Sequence, residues 1–453
     1  MTVINNIIFY ALLWSVFWLP FIPVPNGVLC KNFMDLGLEI ALLFWLIRLL
    51  ITRKTGFKRL DPQIEKALGF IALASLLSIP FSLVKIWSIG DFLGILVGIF
   101  AVYLFTSAIS NKEQLQKLWF ALIGGITSVS ILGLLQFFFR LKPSLVDIIF
   151  FKPFSFLRVW NHPTRISGTF ISQSGVNVYS AFLIAIIALL IAQFILYKWA
   201  SLKRSSHIIY LSCLILLLIN LVLTRGRAAY IALFGALLFM FFQNKKRRQH
   251  LIITLLIISS LMLIFIPTVR ITLADIFSTT SSSNQERLAI YKPALKQLIK
   301  KPIFGWGDGH SGRKVIFNKK INKWEESKDK RYFVYTSRKT LAEKTAYYKA
   351  KGIIPIQRPH NIYLTTFIET GILGFFALIY LFYTLITRSL AFYQKKKLSV
   401  EFKSLFLGLV GAFFTIVAYG FLHDSLNSRP YAILFWILIA LTTSSIKLAN
   451  KKR

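Results

Sequence analysis

Arg358-Pro-His-Asn-Ile-Tyr-Leu-Thr-Thr-Phe-Ile-Glu-Thr-Gly-Ile-Leu-Gly374 is where a long, basic, hydrophilic segment gives way to an apolar one. Pro359 disfavours helix at Arg358, so a helix is expected to start at His360 or Asn361. The run beyond it is apolar and long enough to enter a bilayer. That places an imidazole at the membrane surface. Glu369 follows roughly 13 Å deeper, at 1.5 Å per residue. Gly371 and Gly374 are small enough to let another helix approach closely. A simple anchor needs neither a histidine at the water boundary nor a carboxylate inside the membrane.

The chain on either side has the same character. Its 453 residues are 56% hydrophobic and only 16% charged, which excludes a soluble globule. The expected fold is an all-α polytopic membrane protein with about twelve transmembrane helices of roughly 17–25 residues. They fall near 4–23, 34–52, 66–84, 90–110, 117–139, 175–197, 206–224, 227–243, 250–268, 361–386, 403–422 and 430–446. The first apolar run lacks a basic leader and a small-residue cleavage site, so it reads as a span and not as a cleavable signal. Residues 1–268 hold the first nine spans and a segment at 140–174. One large loop covers 269–359, and 360–453 hold the last three spans and a basic tail.

Basic residues mark every second short loop. They are Arg53, Lys54, Lys58 and Arg59, then Lys112 and Lys117, then Lys198, Lys203 and Arg204, then Lys245-Lys246-Arg247-Arg248, then Arg388 and Lys395-Lys396-Lys397. By the positive-inside tendency these loops and both termini are cytoplasmic, in a multi-pass bacterial inner membrane protein. The opposite, periplasmic side then carries 140–174, the turn Thr224-Arg225-Gly226-Arg227, the large loop and the short loop at His423-Asp424.

The charge is lopsided: 54 Lys+Arg against 17 Asp+Glu, formally +37. Cytoplasmic loops account for part of the excess, and the large loop for the rest. In a membrane protein, anionic membrane lipids or a phosphate-bearing substrate are nearer partners than nucleic acid, and no nucleic acid is expected. Cys30 and Cys213 lie in different hairpins, so neither a disulfide nor a metal site is expected from them. No His, Cys and carboxylate spacing matches a metal site, and no Gly-rich nucleotide loop follows a strand. No cofactor is expected.

Within the large loop, Ser283-Asn284-Gln285-Glu286 opens an amphipathic helix with Leu288, Tyr291, Leu295 and Leu298 on one apolar face. Pro293 is expected to kink it. Gly305-Trp-Gly-Asp-Gly309 then forces a turn, and 313–352 reads as a basic insertion, helical in part.

The groups available for chemistry gather on the periplasmic side. Arg225 and Arg227 bracket a turn between two spans, where the positive-inside tendency disfavours arginine. Arg165 and Arg287 lie on the same side. They read either as snorkelling anchors or as a set converging on one anionic group, for which a planar guanidinium fork suits diphosphate oxygens. His360 read alone starts a helix; beside the arginines it is poised for proton transfer. Glu369 reads as a buried hydrogen-bonding partner in preference to a site residue. His423-Asp424 reads as a surface pair, and His162 and His310 as solvated.

These residues resemble the O-antigen ligase and O-antigen polymerase family. The likeness rests on Thr224-Arg225-Gly226-Arg227-Ala228 opening a span, where the family usually has Ser-Arg-Gly-Ala. It rests also on Arg287 with Lys301-Pro-Ile-Phe-Gly-Trp-Gly-Asp-Gly309, on Pro359-His360-Asn361 with Glu369-Thr-Gly371 and Gly374, and on Arg165-Ile-Ser-Gly168-Thr-Phe170. Arg227, where the family favours a small residue, and the basic insertion are departures. The resemblance implies a GT-C-like membrane glycosyltransferase that takes a glycan from undecaprenyl diphosphate without metal, inverting the anomeric centre. Arg225 and Arg287 would hold the diphosphate, with Arg165 or Arg227, and His360 would be the base; Asn361 and Glu369 complete the substrate-binding set. The acceptor would be lipid A-core or a growing polysaccharide. An exopolysaccharide polymerase and a protein O-oligosaccharyltransferase are the alternatives within the class. A transporter for the same lipid-linked glycan is the alternative outside it, and it would need polar residues and broken helices at the bilayer midplane, related by an internal repeat.

Overall fold

A computed structural model gives the architecture. It describes residues 2–21, 33–139, 175–196, 204–244, 282–310 and 358–451, with short pieces at 249, 252–253, 255–257, 260, 314–318, 323–326 and 353–355. Twelve helices are labelled here. They are α1 (Thr2–Trp18), α2 (Phe33–Thr52), α3 (Pro62–Ser78), α4 (Lys85–Ala108), α5 (Lys112–Phe139), α6 (Gly175–Leu196), α7 (Arg204–Thr224), α8 (Arg227–Gln243), α9 (Ser282–Lys300), α10 (Ile362–Tyr393), α11 (Val400–Gly420) and α12 (Arg429–Lys451).

The chain is a helical membrane protein. Seven of the described helices are long and apolar enough to cross a bilayer, and three shorter apolar ones accompany them at Thr2–Trp18, Ile208–Thr224 and Arg227–Gln243. The expected span near 250–268 lies largely outside the described residues.

Helix α6 is the axis of the bundle. It carries no charge, and 83% of its spanning window is buried inside the protein. In hydrocarbon there is little hydrophobic gain in joining two helices, so close packing must hold them. Gly408 and Gly411 of α11 supply it: a Cβ at Gly408 would lie 3.0 Å from Leu189 Cα, and one at Gly411 3.2 Å from Ala188 Cβ. Helix α12 is fixed against α4 by a buried hydroxyl pair, Thr106 Oγ1 to Thr443 Oγ1 at 2.7 Å. Asp61 caps the start of α3, accepting from Gln63 N at 3.2 Å. The same carboxylate takes the guanidinium of Arg388 on α10.

Helix α10 is broken. Gly371 has φ 69° and ψ −164°, a conformation a side chain resists. A break in an apolar span frees backbone groups that lipid cannot satisfy, at several kcal/mol each. The segment 301–310 repairs it. Ile372 N donates to Pro302 O at 2.8 Å, Trp306 N to Ile368 O at 2.8 Å, and Gly307 N to Glu369 O at 2.9 Å. Gly305, Gly307 and Gly309 all have positive φ, as the expected turn requires. What Gly371 admits is therefore this loop and not a helix, correcting the expectation: a Cβ there would lie 2.0 Å from Ile303 O. A Cβ at Gly374 meets Thr370 of its own helix.

Helix α9 forms as expected, with Pro293 inside it. Its buried face differs, because Ala294 packs with Trp306, Val84 and Ile368 while Leu295 is exposed. The basic insertion is not helical where it is described. Lys314–Asn318 (β1), Lys323–Glu326 (β2) and Ile353–Pro355 (β3) form an antiparallel sheet in the order β2-β1-β3.

Candidate functional site

The start of α10 and the link between α11 and α12 meet at one end of the bundle. Asn361 caps α10, accepting from Tyr363 N and Leu364 N, both at 3.0 Å. Its amide nitrogen donates to Phe421 O at 2.8 Å, tying the helix start to the end of α11. His360, just before the cap, is turned into a left-handed conformation, φ 51°. That turn brings its ring to Asp424. Nδ1 of His360 stands 3.4 Å from Asp424 Oδ1, and Nε of Arg358 donates to Oδ2 at 2.5 Å.

Asp424 is sequestered, with its side chain 1% exposed. Burial by itself would raise its carboxyl, but the contact with His360 and the guanidinium of Arg358 outweigh it and hold the group well below the usual carboxylate range. Oδ1 accepts no hydrogen bond from any described residue, so the neighbour it offers its charge to is the His360 ring. His423 is buried alongside. Its Nδ1 pairs with Ser425 Oγ at 2.9 Å, its ring lies 5.8 Å from that of His360, and Nδ1 is 3.9 Å from Asp424 Oδ1. The expected surface pair is thus an interior one.

A cavity of about 1570 Å³ opens beside these groups. Arg358, His360, His423 and Asn177 line it, and so do Glu369, Asp91 and Asp308. Glu369 therefore faces the same space as His360, and is not confined to a helix–helix contact. Apolar residues of several helices complete the lining, among them Phe105 of α4, Leu381 of α10 and Trp436 of α12. Asp308 arrives on the inserted loop, accepting from Ser75 Oγ at 2.7 Å. Burial and the nearby Asp91 push its carboxyl up to about 6.

His310 is fully buried, against expectation. Val84 N donates to its Nε2 at 3.1 Å, so that nitrogen is an acceptor and Nδ1, 3.1 Å from Asp308 O, carries the proton. It is a neutral structural histidine that pins the loop.

The arginine turn lies on the α6 side of this site. Arg225, half-buried, has φ 52°, and Gly226 caps α8. A Cβ at Gly226 would lie 3.1 Å from Ser180 Oγ. Ser180 pairs with Tyr419 OH at 3.3 Å, Tyr419 OH donates to Asn177 O at 3.0 Å, and the Tyr419 ring lies 5.6 Å from that of His423. A continuous set of contacts thus joins the Arg225 turn to the His360 cluster. Arg227 begins α8 and is half-buried. Arg287 lies on α9, three residues before the cavity-lining Ile290. Arg165 and His162 lie outside the described residues. Among described residues other than glycine, only Arg53, Arg225 and His360 have positive φ. Strained backbone of this kind concentrates at functional sites, and here two of three cases fall on residues singled out by chemistry.

Arg358 and Asp424 were not among the expected site residues. His423 and Asp424 stood out only as a pair in a short loop, and sequence spacing cannot bring position 424 to position 360. The same distance hides the fact that one ligand atom each from His360, His423 and Asp424 lie within 4.8 Å of one another, close enough to hold a metal ion. The guanidinium on the other oxygen of Asp424 already supplies positive charge there.

Residues 212–379 match the family model described as O-antigen ligase. The match runs from α7 into α10. It takes in Arg225, Arg227, Arg287, His360, Asn361 and Glu369, and it stops short of His423-Asp424. No curated protein matches the chain. The family match supports a function of the O-antigen ligase and polymerase type, on lipid-linked glycan and polysaccharide substrates, and suggests a membrane glycosyltransferase-type enzyme.

Proposed function

We propose that the chain transfers a glycan from undecaprenyl diphosphate to an acceptor hydroxyl at the membrane face where His360 lies. The observation that carries this reading is the placing of His360 between a buried, ionised carboxylate and a large cavity. A carboxylate opposite Nδ1 favours the tautomer with its proton on that nitrogen, which leaves Nε2 free to act as base. His360 takes the acceptor proton as the hydroxyl oxygen attacks the anomeric carbon. The bond to the diphosphate oxygen breaks as the glycosidic bond forms, with inversion. Asp424 then stabilises the imidazolium, and Arg358 keeps Asp424 ionised and oriented.

The leaving group is a diphosphate, and its charge must be compensated for it to depart. Arg225 and Arg287 are assigned to it, with Arg165 and Arg227 as the further candidates. In this assignment Glu369, Asp91 and Asp308 face the sugar hydroxyls, since acidic groups next to the diphosphate would oppose its binding. Asn361 is assigned to holding the His360 turn. The proposed setting is a bacterial inner membrane, with about twelve spans in a GT-C-like arrangement, the site facing the periplasm and both termini in the cytoplasm. The units 1–268, 269–359 and 360–453 are proposed as the membrane body, the periplasmic loop and the closing spans.

Lipid A-core is the proposed acceptor, because a basic loop suits its phosphates. Polymerisation onto a growing lipid-linked chain is the second reading, and the same residues serve it. The test is complementation of a Gram-negative strain that lacks its own O-antigen ligase but still makes polymerised lipid-linked O-antigen. A lipopolysaccharide ladder that disappears in His360→Ala, with expression and donor delivery intact, is expected. A ladder of equal strength in His360→Ala would refute the base assignment. Loss of donor delivery in that variant would favour transport.

A further inference from the structure

At the end of the bundle far from His360, the amines of Lys58, Lys447 and Lys451 gather, and no described acid pairs with Lys447. Lys447 lies in the last turns of α12, about 27 Å along the helix from Arg429. Its Nζ is enclosed, and no described residue accepts a hydrogen bond from it. Lys58 is held beside it by the end of α4, and Lys451 follows one turn on along the same face of α12. Lys58 is not there by chance of rotamer. Its backbone N donates to Ser107 Oγ at 3.0 Å and its Nζ to Ser110 Oγ at 3.0 Å, both just beyond or within the last turn of α4. The Thr106–Thr443 hydroxyl pair sets α12 against α4 one turn before Lys447.

Three other cations on this face have acidic partners. Lys112 pairs with Glu401 at 2.7 Å, Lys117 with Glu113 at 2.8 Å, and Arg388 with Asp61. Against that background, neighbouring amines are doubly unfavourable when charged: they repel, and the Lys447 amine is withdrawn from water without an acceptor. An anion between them reverses both effects. Basic pockets between transmembrane helices at the headgroup level hold phosphate groups in this way.

We infer that Lys58, Lys447 and Lys451, with the hydroxyl of Ser110, form a binding site for a phosphate group at the membrane face opposite His360. The three amines supply the charge, and Ser110 fixes the position of Lys58. The phosphate is supplied either by an anionic phospholipid headgroup or by a free phosphate. The site is separate from the proposed transfer reaction and does not depend on it.

Native mass spectrometry of the full-length protein, delipidated in neutral detergent, tests this. The probes are phosphatidylglycerol, phosphatidylcholine and inorganic phosphate. The wild type is expected to retain phosphatidylglycerol over phosphatidylcholine, and Lys447→Met to lose about fivefold in that preference. Displacement of the lipid by inorganic phosphate would assign the site to phosphate itself; failure to displace it would assign it to the lipid headgroup. Lys58→Glu places a carboxylate beside Lys447. It is expected to raise the thermal midpoint in neutral detergent and to abolish the response to phosphatidylglycerol, which separates anion binding from a folding defect. Equal retention of both lipids by the wild type with no response to phosphate would overturn the inference. So would an unchanged preference in both variants.

Discussion

Asp424 is the residue on which the candidate site turns. Its carboxylate is buried, ionised and shared between Arg358 and His360. Asp424→Asn keeps the shape and removes the charge. We expect it to lower kcat by about tenfold or more with KM little changed, because the imidazolium it stabilises forms only as the reaction proceeds. The stability effect has a definite sign. The folded group is depressed, so its contribution is present above the ordinary carboxylate pKa of about 4 and is lost as pH falls below that towards the folded value. The variant should therefore unfold more easily than wild type at neutral pH, and the gap should narrow in acid; denaturation followed at several pH values checks this. Arg225→Lys keeps charge but loses the planar fork. We expect donor-dependent turnover to fall, with an unchanged thermal midpoint, if the fork binds diphosphate. His360 and Arg225 stand out in the sequence by residue type and expected side of the membrane, and the structure places His360 beside Asp424 and the cavity. Asp424 does not stand out in this way, because its role comes from the α11–α12 link folding back on the start of α10.

At the scale of elements, the inserted loop and broken α10 depend on each other. The loop carbonyls and amides complete the helix, and the break gives the loop a place to dock. Gly371→Ala forces a Cβ onto Ile303 O in a left-handed conformation. It should cost about 2–4 kcal/mol, seen as a lower thermal midpoint and as new protease sensitivity within 301–310. Gly374→Ala, whose Cβ meets only a side chain one turn back, should cost far less. The glycines of Gly305-Trp-Gly-Asp-Gly309 announced a turn in the sequence. Where the turn would dock was not legible, since an amphipathic loop gives no sign that it will hydrogen-bond to a helix interior. The helix limits themselves were legible where polar residues cut the hydropathy sharply, as at Gly226 and Asn361. The small sheet was not, because strands of three to five residues are too short to show an alternation.

At the scale of the whole molecule, the cavity gathers acidic groups from three separate elements. Acidic groups face the cavity from the inserted loop, α4 and α10, and the amines of Lys58, Lys447 and Lys451 gather at the far end. Asp308 gives this arrangement a pH signature. Its folded value, about 6, lies above the ordinary one. Stability from the docked loop is therefore full below about 4 and declines as pH rises through about 6. Asp308→Asn should flatten that slope in thermal unfolding between pH 4 and 7, with Asp91 and Ser75 unchanged. The membrane class and the polarity of the large loop followed from composition alone. The cavity did not, because it is bounded by helices from both halves of the chain.

The most direct measurement is in vitro turnover: purified protein in lipid nanodiscs, an undecaprenyl-diphosphate-linked glycan and lipid A-core, with release of undecaprenyl diphosphate and glycan transfer followed together. The two should appear in equal amounts, and His360→Ala should slow both by about a hundredfold or more. Glycan transfer by His360→Ala at the wild-type rate would contradict the account at its centre.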